Sequence, residues 1–271
     1  MMKQYLDLER QIVHLAIDKS IMFEHTDIEV AKNLLRDHNY RNFVSCSKIK
    51  YAELISPKLI MYKTASFKEW RAYFDMDCRL SQHLIGNLIQ FERTINSRLS
   101  YQISELMEKD QFSNFEKNMI IQLVQSWQRR RFGLKSEQKL KEPYEGNRIW
   151  ELLPQMTFGE MKQLLFWFLE NKQAIYLEIV AGYDFLGKPK TAKDRIDEIN
   201  RLRNNLVHFR PLNVYITHGN QKRKLNNKYR KETVKFVLGL NRNRRRQLEL
   251  KEILNNSDNY VKIKNNQHYV G

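Results

Sequence analysis

The sequence predicts an all-α protein, and three features of its 271 residues lead to that prediction. Apolar residues make up 42% of the chain, which is enough for a core and argues against a disordered composition. Only 9 glycines and 5 prolines interrupt it, whereas β-sandwiches and barrels need turn residues about every 8–12 positions. In the longest apolar pattern, apolar residues recur every three or four positions, which is the spacing of one face of a helix.

The N-terminal third is predicted to contain two short helices and a long one. Apolar positions favour a first helix over residues 3–20. Thr26 with Glu29 three positions later forms a capping-box pair, which predicts that a second, short helix begins there. The apolar stripe that predicts the long helix covers residues 66–107.

The middle of the chain is predicted to alternate helices with loops. Residues 113–140 look helical but polar, and residues 141–148 contain Pro and Gly and are predicted to form a loop. Thr157 begins another helix, and residues 174–183 form a further one. Residues 48–60 show no regular pattern and stay unassigned.

The next predicted helix carries an unusual polar stripe. It follows a predicted loop over residues 187–190, and Thr191 with Asp194 is expected to cap it. Pro211 ends the helix, because the residue before a proline avoids the α region. One side of this helix is apolar, and Asn is a poor choice for a merely solvated face, so the polar side points to a functional site. That polar side consists of Arg201, Asn204, Asn205 and His208.

Arg203 lies on the apolar side of the same helix, where a charge is costly unless it is paired or lines an interface. His208 falls in the last turn, where the backbone can unwind and the imidazole can swing towards Arg203. A histidine that titrates near neutrality can move protons, and arginine holds a phosphate in a fixed fork. The pair therefore suits metal-free cleavage of RNA, with a two-fold dimer supplying a second His.

The residues alone also allow a purely structural interpretation of this pair. An Arg followed five positions later by a His arises often by chance. An arginine salt bridge and a helix-terminal histidine favoured by the helix dipole would account for both residues.

Net charge indicates an acidic partner. The chain carries +16 with a pI near 9.7, and residues 217–251 hold 12 Lys or Arg against 2 Glu. Nucleic acid is the leading partner and anionic membrane the second, while a basic solubility tail is the alternative. The candidate RNA-binding residues are Lys222, Arg223, Lys224, Lys228, Arg230, Lys231, Arg242, Arg244, Arg245 and Arg246. The polar end of the chain after Asn255 is expected to fray.

Several other function classes find no support in the sequence. No apolar run approaches the ~20 residues that cross a bilayer, and the charged N-terminus lacks a signal-peptide core, so we expect a cytoplasmic protein without membrane insertion. Cys46 and Cys78 are expected to be reduced thiols. The histidines show no metal-binding spacing, so neither a metal nor another cofactor is expected.

The segment Arg203-Asn204-Asn205-Leu206-Val207-His208 resembles the R-x(4–6)-H signature of HEPN ribonucleases. Other blocks, in the same order along the chain, resemble the Abi (abortive infection, AbiD- and AbiF-like) family of bacterial phage-defence proteins. The blocks are Ala31 to Tyr40, Ser66-Phe67 with Tyr73-Phe74-Asp75 and Leu80, Phe91-Glu92 to Arg98-Leu99, and Thr157-Phe158-Gly159-Glu160. The resemblance covers roughly residues 25–215.

The resemblance implies a HEPN-like helical bundle with additional N-terminal helices. It implies an Abi-type domain over residues 1–215, with residues 216–271 as a basic C-terminal extension packed on or extending that domain. It also implies a metal-independent endoribonuclease or toxin that acts as a homodimer and is restrained by an antitoxin or a small non-coding RNA. Because the basic extension is not part of the HEPN signature, a non-cleaving binder of a structured small RNA stays the alternative.

By matching position, the resemblance makes Arg203 and His208 catalytic, with Asn204 assisting them. Glu92 matches an acidic position of the family and is the expected partner of Arg203. Arg201 and Asn205, from the polar stripe, are expected to support this set.

Overall fold

A computed structural model describes residues 6–56, 59–131, 156–217, 225–241 and 243–268, and it confirms the all-α prediction. Over these residues the chain forms ten helices and four short strands. The helices are α1 (Leu8–Asp18), α2 (Asp27–Tyr51), α3 (Phe67–Glu108), α4 (Asn114–Arg131), α5 (Phe158–Asn171), α6 (Gln173–Ile179), α7 (Pro189–Val207), α8 (Leu212–Thr217), α9 (Leu225–Gly239) and α10 (Arg244–His268). The strands are β1 (Ile21–Met22), β2 (Ala52–Ser56), β3 (Leu59–Tyr62) and β4 (Ala65–Ser66).

The chain divides into two compact units. The terminal unit combines residues 1–87 with residues 201–271, and the central unit consists of residues 88–200. In the part of the chain that the structure describes, no helix is both long and apolar enough to span a membrane.

Aspartates make the side-chain hydrogen bonds at the starts of the first two helices, but only the first helix is capped by one. The Asp7 carboxylate accepts a hydrogen bond from the backbone N of Arg10 (2.8 Å) and so caps α1. The predicted capping box at Thr26 is wrong, because the Thr26 side chain makes no cap hydrogen bond. Instead, the Asp27 carboxylate turns back and accepts a bond from the backbone N of Glu24 (3.0 Å).

Helix α2 is longer than predicted because it restarts after a break. Asn39 interrupts it with φ 55° and ψ 153°, a strained combination outside the left-handed helical region that few residues other than glycine adopt. The Asn39 side chain then accepts a hydrogen bond from the backbone N of Asn42 (3.0 Å), as an N-cap would. The second half of α2 therefore begins with its own cap.

The segment without a regular pattern continues α2 and then forms a hairpin. Strands β2 and β3 pair antiparallel, with Ala52 opposite Tyr62. Ile49 and Ala52 cluster there with Tyr260 of α10. This contact buries one face of the hairpin against the C-terminal helix.

Aromatic side chains form the core of the terminal unit. The ring of Phe43 lies 6.0 Å from that of Phe67, 6.2 Å from that of Trp70 and 5.6 Å from that of Phe74. Tyr51 stacks on Trp70 with ring centroids 5.0 Å apart. These contacts join α2 to the first turns of α3.

The C-terminal residues are helical and packed, so the expected fraying after Asn255 is wrong for the described residues. Ile253, Ser257 and Tyr260 are all buried, and their spacing places them on one side of α10. Near the other end of this part of the chain, the side-chain amide of Asn87 donates to the carbonyl of Val237 (2.9 Å). That bond ties α9 to α3 within the terminal unit.

The central unit confirms the predicted start of α5. The Glu160 carboxylate accepts from the backbone N of Thr157 (2.9 Å), which closes the first turn. Helix α6 ends at Ile179, earlier than predicted, because the chain turns where Gly182 has φ 80°. Arg98 on α3 donates to the carbonyls of Ile179 (3.0 Å) and Ala181 (2.6 Å), and so satisfies the end of α6.

Gly86 offers a simple test of the helical packing. It lies on an exposed turn inside α3, and a Cβ built there meets nothing within 4 Å. We expect Gly86→Ala to raise the free energy of unfolding by about 0.5–1 kcal/mol, because alanine loses less backbone entropy in a helix. Urea unfolding followed by circular dichroism measures this change, and a destabilised variant would show that the site has less room than the structure gives it.

Candidate functional site

The helix that carries the candidate residues begins two residues earlier than predicted. Pro189 is the first residue of α7, a position that suits proline because the first helical N–H has no partner within the helix. The expected cap at Thr191 is therefore wrong, and residues 189–190 belong to the helix. The Thr191 hydroxyl lies inside the first turn and donates to the carbonyl of Lys188 (3.4 Å).

Helix α7 ends in a Schellman arrangement centred on Phe209. The backbone N of Phe209 donates to the carbonyl of Leu206 (3.0 Å), and that of Arg210 donates to the carbonyl of Asn205 (3.1 Å). Phe209 has φ 51°, at the position that usually holds glycine. The left-handed conformation costs an L-residue about 1–2 kcal/mol, and the Phe209 ring is 83% exposed.

Arg203, Asn204 and His208 lie around the last turn of α7. Arg203 is half-buried, consistent with its position on the apolar side of the helix. Its Nη1 atom donates to the side-chain oxygen of Asn204 (3.4 Å). The His208 side chain is exposed just beyond the last helical residue, and its backbone N donates to the carbonyl of Asn204 (3.2 Å). A guanidinium and an imidazole are thus carried on one short, hydrogen-bonded piece of backbone.

The other two members of the polar stripe differ from each other. Arg201 is exposed. Asn205 is half-buried, and its side-chain amide donates to the carbonyl of Arg210 (3.0 Å). Asn42 on α2 donates similarly to the carbonyl of Phe209 (3.3 Å). One of the two adjacent asparagines therefore closes the end of the helix, which is a structural role.

A buried carboxylate anchors the chain directly after the motif. Asp77 on α3 accepts from the backbone N of Leu212 (2.8 Å) and of Asn213 (3.0 Å), the first two residues of α8. Asn213 in turn donates its side-chain amide to the carbonyl of Cys46 (2.5 Å). Complete burial raises the pKa of Asp77 from its ordinary 3.8 to about 6.

Sequence reasoning missed the role of Asp77, although a signal for it exists. It lies three positions after Phe74 and three before Leu80, within the stripe of buried side chains of α3. A carboxylate on such a stripe requires buried hydrogen-bond donors, just as Arg203 required a partner on the apolar side of α7.

Glu92, the expected partner of Arg203, is half-buried on α3. It belongs to the central unit, whereas Arg203 belongs to the terminal unit. Their pairing stays a prediction.

Part of the basic C-terminal set lies outside the described residues. Lys222, Arg223, Lys224 and Arg242 fall there, and Lys228 lies on α9 at a position where only the backbone is described.

Four described members of the set have partners in the fold. Arg230 donates to the carbonyl of Tyr215 (2.8 Å) and lies over its ring, and Lys231 pairs with Asp258. Arg246 pairs with Glu249 at 2.6 Å, and the exposed Arg245 lies 3.7 Å from the same carboxylate. Arg244 is exposed.

A shallow groove of about 410 Å³ lies between α9 and α10. Lysines 231, 235 and 251 line it together with Gln247, Asn255 and Asp258. Lys235 and Lys251, which the candidate set omitted, are exposed. Ammonium and amide donors along one groove can contact successive phosphates of a nucleic-acid backbone.

No family model, curated protein or solved structure matches this chain. Among the residues that the structure describes, no three His, Cys, Asp or Glu side chains come together as metal ligands.

Proposed function

We propose that this protein is an RNA-binding endoribonuclease of the HEPN type that needs no metal, with the Arg203–His208 segment as its active site. It acts in the cytoplasm as an Abi-type phage-defence protein or toxin, and an antitoxin or a small non-coding RNA restrains it. Neither the nuclease activity nor the family follows from the helical fold alone. The proposal depends on the residues at the end of α7.

One observation carries the proposal: a half-buried arginine near the end of α7 is followed, just beyond the last helical residue, by an exposed histidine. Partial burial limits the rotamers of Arg203, and the contact of its Nη1 atom with Asn204 holds one edge of the guanidinium. Such a preorganised cation stabilises developing phosphate charge better than a freely hydrated one. His208 lies in solvent, where an RNA strand can reach it.

The reaction that suits this set is attack by the RNA's own 2′-hydroxyl on the adjacent phosphorus. The base takes the 2′-hydroxyl proton while the O2′–P bond forms, and the P–O5′ bond breaks as an acid protonates the departing 5′-oxygen. The products are a 2′,3′-cyclic phosphate and a 5′-hydroxyl. Arg203 binds the non-bridging oxygens, on which negative charge increases in the transition state.

A single copy of the motif supplies one imidazole, whereas this reaction uses both a base and an acid. A two-fold symmetric dimer that brings two motifs to one phosphate provides both, with His208 of each copy in one role. We therefore propose that the active form is a homodimer.

A second candidate function is non-catalytic binding of a structured small RNA. The observation that favours it is the set of exposed basic side chains on α9 and α10, namely Lys235, Arg244, Arg245 and Lys251. These residues would contact phosphates, and the affinity would fall steeply with salt.

The test compares wild type, His208→Ala and His25→Ala on total cellular RNA in EDTA. His25 is an exposed histidine before α2 and serves as the matched control. We expect wild type and His25→Ala to cleave, leaving 2′,3′-cyclic phosphates, and His208→Ala to cleave at least about 100-fold more slowly. RNA affinity of His208→Ala should be unchanged.

Two results would decide against the nuclease. Equal cleavage by wild type and His208→Ala would assign the activity to other residues or to a contaminant. No cleavage by wild type, with one defined small RNA copurifying with all three proteins, would establish the binding function instead.

A further inference from the structure

The residue directly after His208 is an exposed aromatic residue at a position where the end of α7 requires a left-handed backbone. Phe209 combines φ 51° with a ring that is 83% exposed. Glycine would adopt this backbone conformation without the penalty of a side chain. A bulky residue in such a conformation is uncommon and points to a function.

The backbone of Phe209 is held on both sides. Its carbonyl accepts from the Asn42 amide (3.3 Å), and the carbonyl of Arg210 accepts from the Asn205 amide (3.0 Å). The N–H groups of both residues are engaged in the Schellman arrangement. The ring therefore projects from a fixed base, so binding through it loses little conformational entropy.

The chemistry around the ring fits an anionic partner with flat, apolar faces. Arg210 directly follows Phe209 in the sequence and is exposed. An exposed aromatic ring next to a cationic side chain is an arrangement by which proteins bind unpaired nucleotides, with bases on rings and phosphates on cations. A base inside a duplex is already stacked and cannot reach such a ring.

We propose that Phe209 stacks on an unpaired nucleobase next to the phosphate at Arg203 and His208. Phe209 is a positioning and specificity-determining residue, and the RNA is single-stranded at the site. This inference rests on the proposed function, since it states what binds the base next to the cleaved phosphate. It adds that double-stranded RNA does not bind at the end of α7.

The test uses oligoribonucleotides of about 12 nucleotides that carry one 2-aminopurine at successive positions. Stacking on an aromatic ring changes the fluorescence of that base. Wild type is compared with Phe209→Trp, Phe209→Leu and Phe209→Gly. Phe115→Leu is the matched control, because Phe115 is also 78% exposed but lies on α4 in the central unit.

We expect Phe209→Leu and Phe209→Gly to bind about tenfold more weakly and to lose the fluorescence change at one position. Phe209→Trp and Phe115→Leu should bind like wild type. Phe209→Gly should melt at a temperature no lower than wild type, because glycine relieves the left-handed backbone. Its weaker binding could then not be attributed to unfolding.

The outcomes separate this inference from the proposed function. If wild type binds and cleaves RNA while Phe209→Leu does so equally well, only the stacking role is wrong. If wild type binds no single-stranded RNA, the proposed function fails and this inference fails with it. If Phe209→Leu weakens self-association in sedimentation but not RNA affinity, the ring contacts a second copy of the chain, and the stacking role is overturned.

Discussion

Asp77→Ala is expected to lower the free energy of unfolding by about 3 kcal/mol near pH 4. The substitution leaves the buried backbone N–H groups of Leu212 and Asn213 without their acceptor, and an unsatisfied buried group costs about 1–3 kcal/mol. It also releases the start of α8, and with it the chain that follows His208. Urea unfolding followed by circular dichroism measures the loss.

Asp75→Ala is the matched control for this variant. Asp75 lies two residues away on α3 and is about 41% exposed, and its carboxylate lies 3.7 Å from the Arg71 guanidinium. We expect a change of no more than about 0.5 kcal/mol there, because exposed ion pairs contribute little. Similar losses in both variants would mean that Asp77 does not anchor α8.

The effect of Asp77 should depend on pH with a defined sign. The folded protein raises the pKa of this carboxyl to about 6 from an ordinary 3.8, so the folded state binds its proton more tightly than the unfolded state. Its contribution to stability is then complete below about pH 4 and decreases as the pH rises to about 6. The difference in stability between wild type and Asp77→Ala should shrink across this window and stay level above it.

Arg203→Ala is expected to reduce cleavage about 1000-fold. Removing one preorganised donor to a developing oxyanion typically costs about 100- to 1000-fold in rate, and Arg203 supplies a full charge as well. Arg203→Lys should recover only part of the rate, because an ammonium lacks the planar fork. The loss should appear in kcat, since the contact strengthens in the transition state.

Arg36→Ala is the control for Arg203, because Arg36 is also a helical arginine that donates to an asparagine side chain (Asn33, 2.8 Å). Arg36 is exposed on α2, and we expect the Arg36→Ala variant to cleave RNA at the wild-type rate. Single-turnover rates on an RNA that wild type cleaves would measure both. Full activity in Arg203→Ala would reduce Arg203 to a structural residue.

Long apolar patterns made the helices predictable, whereas helix boundaries and breaks depend on local side-chain hydrogen bonds and were difficult to predict. The bounds of helix α3 agree with the prediction to within about a residue at each end. Apolar residues that recur every three or four positions over such a length indicate a helix and no other element. The break at Asn39 and the early start of α7 at Pro189 depend on caps and single backbone angles. Helix propensities do not distinguish these two helix boundaries from neighbouring positions in the sequence.

For the candidate site, sequence reasoning located the residues but not what holds them. The half-burial of Arg203 and the position of His208 at the end of α7 follow from helical periodicity and Pro211. The positive φ of Phe209 does not, because aromatic residues rarely adopt it. The bonds from Asp77 to α8 span more than a hundred residues of sequence, and no local pattern encodes such a partner.

The terminal unit is assembled from the two ends of the chain, and this affects the order in which a newly made molecule can fold. Asp77, Cys46 and Asn87 have partners at Leu212, Asn213 and Val237, which leave the ribosome only after the whole of residues 88–200. Domains fold as units during synthesis, so the central unit can form first while the N-terminal residues wait. The segment with Arg203 and His208 is then fixed in place only after the residues up to Val237 have been synthesised, so a nascent chain that stops before them carries no finished site.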